Sequence, residues 1–143
     1  MKLCDVNVLV YAHRPDATAD HPLYSDYLSQ LATGDAAFGL SEAVLTGFVR
    51  IVTNQRVFKN PTPIEAALVF CDNLRSRSQA CVLNPGEHNW PIFKKLCVDI
   101  PARGKLVADA WRAALAIEYD CEWISTDGDF ARFKQLKWVH PLR

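Results

Sequence analysis

The sequence predicts an α/β fold in which a parallel sheet is covered by helices on both faces. Three observations support this. Short apolar runs alternate with amphipathic helical segments along the chain, as strand–crossover–strand units require. The first run, residues 2 to 10, is rich in Val and Leu and nearly apolar, as a strand buried on both faces should be. At 143 residues the chain is long enough for one shared core and too short for two, so residues 1–143 are read as a single domain.

In chain order, residues 2 to 10 read as strand one, its end running into a helical turn. After the turn-like His13-Arg14-Pro15-Asp16, residues 19 to 32 place Leu23, Tyr27, Leu28 and Leu31 at helical spacing, and Gly34 stops the helix. Ala36 to Leu40 reads as strand two. Ser41 then precedes a periodic segment with Val44, Phe48, Ile51 and Val52 on one face, which makes Ser41 an N-cap and places Glu42 in the first turn. Asn60-Pro61-Thr62-Pro63 breaks the chain and opens a helix over 63 to 76, since proline is tolerated in a first turn. Residues 79 to 83 form strand three. Helices follow over 87 to 98 and 104 to 118, the second with Leu106, Ala110, Ala113, Ala114 and Ile117 as a narrow face for close packing. Cys121 to Ser125 is strand four, Asp127-Gly128-Asp129 a turn capping a short helix, and Trp138 to His140 a final strand.

Sixteen basic residues balance sixteen acidic ones, which excludes a global positive field for indiscriminate polyanion binding. Any nucleic-acid contact is local, and basic residues gather at Arg50, Arg56 and Lys59 and again at Lys94, Lys95, Arg103 and Lys105. Cys4, Cys71, Cys81, Cys97 and Cys121 contain no C-x-x-C pair and sit among apolar neighbours, as buried core thiols in a reducing compartment do. The N-terminal run is broken by Asp5 and Asn7 and reads neither as a signal peptide nor as a membrane span, so a cytoplasmic protein without membrane contact is expected. His13, His21, His88 and His140 read as exposed, unpaired residues rather than as general bases.

The chemistry rests on carboxylates. Asp5 interrupts an apolar run, where a charge is expensive unless compensated, although it also suits a cap on the following turn. Glu42 starts a helix whose dipole favours it, yet position 44 is Val rather than the Glu or Gln of a capping box, so its carboxylate is uncommitted. Asp109 lies on the edge of the small-residue face, with Lys105 and Arg112 in reach as ion-pair partners. Asp127 and Asp129 flank Gly128, and a cap needs only one of them. Three of these acids follow the carboxyl ends of strands one, two and four, where open α/β sheets bind ligands, and the fourth lies on the helix leading into strand four. Carboxylates crowded together repel unless a cation neutralises them, and an oxygen-only set favours magnesium or manganese over zinc. Such an ion suits hydrolysis of a phosphodiester.

The segments Leu3-Cys4-Asp5-Val6-Asn7-Val8-Leu9, Leu40-Ser41-Glu42, Val107-Ala108-Asp109-Ala110 and Ser125-Thr126-Asp127-Gly128-Asp129-Phe130 together resemble the PIN-domain ribonucleases, specifically the VapC-type toxins of type II toxin–antitoxin pairs. Arg50-Ile51-Val52-Thr53-Asn54 with Arg56-Val57-Phe58 is similar to one VapC subgroup. The resemblance spans the whole chain. It implies a PIN-like three-layer α/β/α sandwich with a five-stranded parallel sheet, and Asp5, Glu42, Asp109 and Asp127 as a catalytic, metal-binding quartet around magnesium or manganese. Asp129 would be a further metal ligand, and Asn7, Ser41 and Thr126 supporting polar groups. The implied activity is endonucleolytic cleavage of structured RNA by a homodimer silenced by a cognate antitoxin.

Two enzymatic rivals fit poorly: an aspartate-nucleophile phosphatase needs a second Asp where Asn7 stands, and a dinucleotide-binding enzyme needs a G-x-G-x-x-G after strand one. A non-catalytic receiver-like or scaffold domain that binds a metal ion and a protein partner is the alternative from another class. It leaves Glu42 and Asp109 without a role.

Overall fold

A computed structural model describes residues 1–143. The chain enters β1 (Lys2–Cys4) and turns at Asp5 straight into helix α1 (Val6–His13). The apolar run over 2 to 10 is therefore three residues of strand and mostly helix. A largely apolar run is compatible with either state when both are buried. Asp5 decides between them by accepting the Val6 N–H at 2.7 Å, which caps the helix.

The remaining elements are α2 (His21–Thr33), β2 (Phe38–Ser41), α3 (Glu42–Val52), α4 (Ile64–Arg75), β3 (Ala80–Leu83), α5 (Asn89–Asp99), α6 (Lys105–Glu118), β4 (Glu122–Ile124), a 3-10 turn (Gly128–Arg132) and β5 (Lys137–Val139). Ser41 caps α3 as expected, its hydroxyl accepting the Val44 N–H at 3.4 Å. All five strands are parallel, in the order β3-β2-β1-β4-β5, with Leu3 level with Gly39 on one side and with Trp123 on the other. On one side of the sheet α1 packs against α2 and α3, and α3 against α4; α5 packs against α6. Crossovers between parallel strands are right-handed as a rule, so the connection from β3 back across the sheet to β4 takes α5 and α6 to the opposite face and completes an α/β/α sandwich.

The core runs through both layers, with Leu3, Phe38, Phe48, Trp123 and Phe130 fully buried. On α6, Ala110, Ala113 and Ala114 are completely inaccessible, so small side chains let that helix sit close to the sheet. Cys4, Cys71 and Cys121 are buried thiols, and burial pushes Cys4 up to about 12. Cys97 is only partly covered and Cys81 is exposed, because β3 is an edge strand and its outer residues lack a covering helix. No helix is long and apolar enough to cross a membrane.

None of the four histidines is without a partner: His88 Nε2 lies 3.4 Å from the Glu87 carboxylate, His140 Nδ1 accepts the Leu142 N–H at 3.2 Å, and the other two are held by more distant groups. His21 Nδ1 lies 2.8 Å from the Tyr11 carbonyl, and His13 Nε2 lies 3.0 Å from Thr62 Oγ1 with its ring edge-on to Phe48 and Phe70. Local sequence hides this, because Thr62 is 49 residues from His13. Burial, with Arg14 and His21 nearby, holds the His13 imidazole below its usual value of 6.5. The folded state then binds this proton less readily than the unfolded chain, so stability falls as pH drops through 6.5 toward the depressed folded pKa. Denaturant titrations between pH 7 and pH 5 are expected to show a smaller loss for His13→Asn than for the wild type. Equal losses would place the pH dependence on other groups.

Candidate active site

The sheet order reverses at β1, with β2 and β3 on one side and β4 and β5 on the other, so a crevice opens at the carboxyl ends of β1 and β4. Asp5 directly follows β1, Asp127 follows β4, and Asp109 reaches the same crevice from α6. All three line a single cavity of about 580 Å³.

Asp5 is almost wholly buried, and each of its carboxylate oxygens is held. Oδ1 takes the Val6 N–H; Oδ2 takes the Ser125 hydroxyl at 2.7 Å and the Asn7 amide at 3.2 Å. Asn7 also donates to Ser125 Oγ at 3.1 Å and accepts the Thr126 N–H at 3.3 Å, while Ser125 Oγ accepts the Asp127 N–H. This web ties the loop after β4 to the start of α1. Burial pushes the Asp5 carboxyl above its ordinary value, against the opposing hydrogen bonds from Ser125 and Val6 and the Arg112 charge; the neighbouring Asp109 raises it further.

Asp109 is 1% exposed. Arg112 Nη1 donates to its Oδ1 at 3.1 Å, and the Lys105 ammonium lies 3.3 Å from Oδ2. Both ion pairs foreseen for it therefore form, yet the Lys105 contact with Oδ2 is too poorly aligned to make a full hydrogen bond. Lys105 also donates to Asp127 Oδ2 and stands 3.7 Å from Asp129. Burial raises the Asp127 carboxyl, but the Lys105 hydrogen bond, the Asp129 N–H and the ammonium's charge outweigh it and hold that group low. The Lys105 ammonium is raised in turn, first by its bond to Asp127.

Glu42 does not join this group. It is exposed, pairs with Arg75 of α4 at 3.2 Å, and lies with Leu45, Thr46 and Val49 over a different groove. The reason is helical geometry: 42, 45, 46 and 49 form one stripe of α3, whereas the stripe facing the acidic cavity is Gly47, Arg50 and Ile51. Gly47 brings α3 close to α1, since a Cβ there would stand 3.1 Å from Val6. Ser41 is likewise engaged as the α3 cap, and Thr126 meets the web through its backbone rather than its hydroxyl. Asp129 is exposed at the rim.

The PIN domain family model matches residues 2–136. This chain belongs to the PIN-domain family. The PIN domain is 48% identical over 141 residues to Ribonuclease VapC43 of Mycobacterium tuberculosis, covering 98% of this chain and 95% of the relative. Its fold superposes on a chain of VapBC2 from Rickettsia felis, crystallised with a fragment of promoter DNA, with a TM-score of 0.70 at 18% identity, covering 96% of each chain. VapBC-1 of nontypeable Haemophilus influenzae gives 0.70 at 17% identity, covering 99% of this chain and 98% of the other. The resemblance to VapC toxins and the α/β/α fold it implied both hold.

The PIN domain's donor set suits a hard divalent cation. It consists of carboxylate oxygens without His or Cys, and the buried, unbonded Asp109 Oδ2 is a lone pair that a cation would satisfy. No three side chains stand in the close spacing of a preformed metal cage, since the Lys105 ammonium lies among Asp109, Asp127 and Asp129. Arg50, Lys59 and Arg112 line the cavity with the acids, so cationic and acidic walls face one another. Ser125, Lys105 and Arg112 are the residues that motif reading did not assign to the site. Ser125 carries a local signal, a hydroxyl two residues before Asp127 at the end of β4; nothing local distinguishes Lys105 and Arg112 from surface partners.

Proposed function

We propose that this PIN domain is a metal-dependent endoribonuclease, the toxin of a type II toxin–antitoxin pair, that hydrolyses phosphodiester bonds in structured RNA. The observation that carries the proposal is the meeting of Asp5, Asp109 and Asp127 in one crevice, with Asp109 Oδ2 buried and unbonded. Magnesium or manganese would be held by these three, with Asp129 as an outer ligand, and when bound it supplies charge neutralisation and Lewis acidity at the phosphate. Asn7 and Ser125 orient Asp5, and Arg112 orients Asp109. Arg50 and Lys59 offer cations to the flanking phosphates of the RNA. The ribonuclease name of the 48%-identical relative and the VapBC complexes among the similar structures support the nuclease and antitoxin assignments. A cytoplasmic homodimer whose crevice is closed by the antitoxin completes the proposal.

Cleavage of structured RNA in magnesium or manganese, by wild type, Asp5→Asn and Glu42→Gln, tests it. Asn caps a helix about as well as Asp, so Asp5→Asn removes charge with the fold retained. A ligand should matter no less than the residues that orient it, so a loss of at least about a hundredfold is expected for Asp5→Asn. Glu42→Gln should stay close to wild type, since it removes only an exposed ion pair. An inert wild type across metals and structured RNAs defeats the nuclease assignment and favours a receiver-like domain, whereas a fully active Asp5→Asn defeats the assignment of this carboxylate crevice as the catalytic site. An inactive Glu42→Gln returns that residue to the site.

A further inference from the structure

Lys105 is the first residue of α6, at the positive end of the helix dipole, where a cation is unfavourable and Gly104 offers no side-chain cap. Helix stability does not explain a lysine there. Its ammonium instead reaches three carboxylates at once: it donates to Asp127 Oδ2, lies 3.3 Å from Asp109 Oδ2 and 3.7 Å from Asp129. The side chain is 64% exposed, so nothing packs it in place except those charges.

The contact with Asp109 is incomplete. Oδ2 is buried and feels the positive charge but receives no aligned hydrogen bond, whereas Oδ1 is bonded by Arg112. The ammonium has three protons, but with its short contact made to Asp127 none is well aligned on Asp109 Oδ2 at 3.3 Å, whereas a divalent cation draws several carboxylate oxygens in to short range.

We propose that Lys105 is a built-in competitor for the divalent metal: its ammonium neutralises Asp109 and Asp127, and a metal ion held by those oxygens must displace it. The inference rests on the reading of this crevice as a metal site and adds that Lys105 sets the site's affinity. Weak, reversible metal loading is the consequence, because each binding event breaks the ammonium contacts before it forms its own. Displacement is feasible, since the exposed four-carbon stem can carry the ammonium into solvent without disturbing the core.

Calorimetric titration of the folded, chelator-treated protein with manganese alone tests this, using wild type, Lys105→Met, Lys105→Arg and, as a distant charge control, Lys137→Met. Removing a unit charge a few ångströms from a divalent ion should tighten manganese binding by about tenfold or more in Lys105→Met. Lys105→Arg should bind no more tightly than wild type, and Lys137→Met should match it. Thermal melts give a second readout: without metal Lys105→Met should melt below wild type, and manganese should raise its melting temperature by more. Manganese binding by Lys105→Met no tighter than by wild type overturns the competitor role and leaves the metal site standing. An equal gain in Lys137→Met also overturns it, by showing a general charge effect. If neither wild type nor Lys105→Met binds manganese, the metal reading fails and the competitor role falls with it.

Discussion

Asp109→Asn is expected to reduce cleavage of structured RNA by at least about a hundredfold, the upper range for groups that merely orient a metal ligand. The substitution preserves shape and keeps an oxygen for Arg112, but it removes the charge that a divalent ion would meet at the most deeply buried carboxylate of the crevice. Stability should change little, by about 1 kcal/mol or less, because Arg112 and Lys105 both retain access to water when their partner is neutralised. Activity assays paired with denaturant unfolding check both halves. An Asp109→Asn protein that folds normally and cleaves like wild type would remove Asp109 from the chemistry and leave it a structural anchor for Arg112.

Trp123→Ala is expected to destabilise the domain by about 3–5 kcal/mol, a large part of the total of a typical domain. Trp123 sits in β4 beside β1, is fully buried, and packs on Phe130 with ring centroids 5.3 Å apart. That contact braces the 3-10 turn after Asp127, so the cavity left by the deletion lies beneath the loop that positions the site. Trp123→Phe should cost clearly less than Trp123→Ala. The indole N–H has no hydrogen-bond partner, so its removal relieves an unsatisfied donor while most of the aromatic volume stays. Urea midpoints of the three proteins decide the matter. Equal losses for Phe and Ala would mean that the indole N–H is satisfied after all.

The α/β class, the order of elements and most helix boundaries were legible because periodicity and caps are local. Ser41 before a periodic face, Pro63 before α4 and the alanine stripe of α6 each carry their reading within a few residues. The extent of β1 was not, since Val6 to Val10 is apolar but for Asn7, which suits either state, and only the capping role of Asp5 separates strand from helix. Asp5, Asp109 and Asp127 were legible as candidates because each sits where a charge is costly or a cap redundant. Glu42 met the same local criteria and lies elsewhere. The placement rule that favoured it, an acid just past the end of a strand, does not include the direction in which a helix's first residue points.

Sequence alone thus determined the α/β class, a parallel sheet, the acids available for chemistry and the family to which the chain belongs. These depend on hydrophobic period, residue type and motif order, which are properties of short stretches. Tertiary structure alone decided which acids meet. The reversal of strand order at β1 opens a crevice at β1 and β4 rather than at β2, and the phase of α3 turns Gly47 toward that crevice and Glu42 toward Arg75. It also placed Lys105 among the aspartates and His13 against Thr62. The physical reason is the same in each case: a side chain's partners are set by helix phase and chain crossover, and those are fixed only when the sheet and its covering helices pack together.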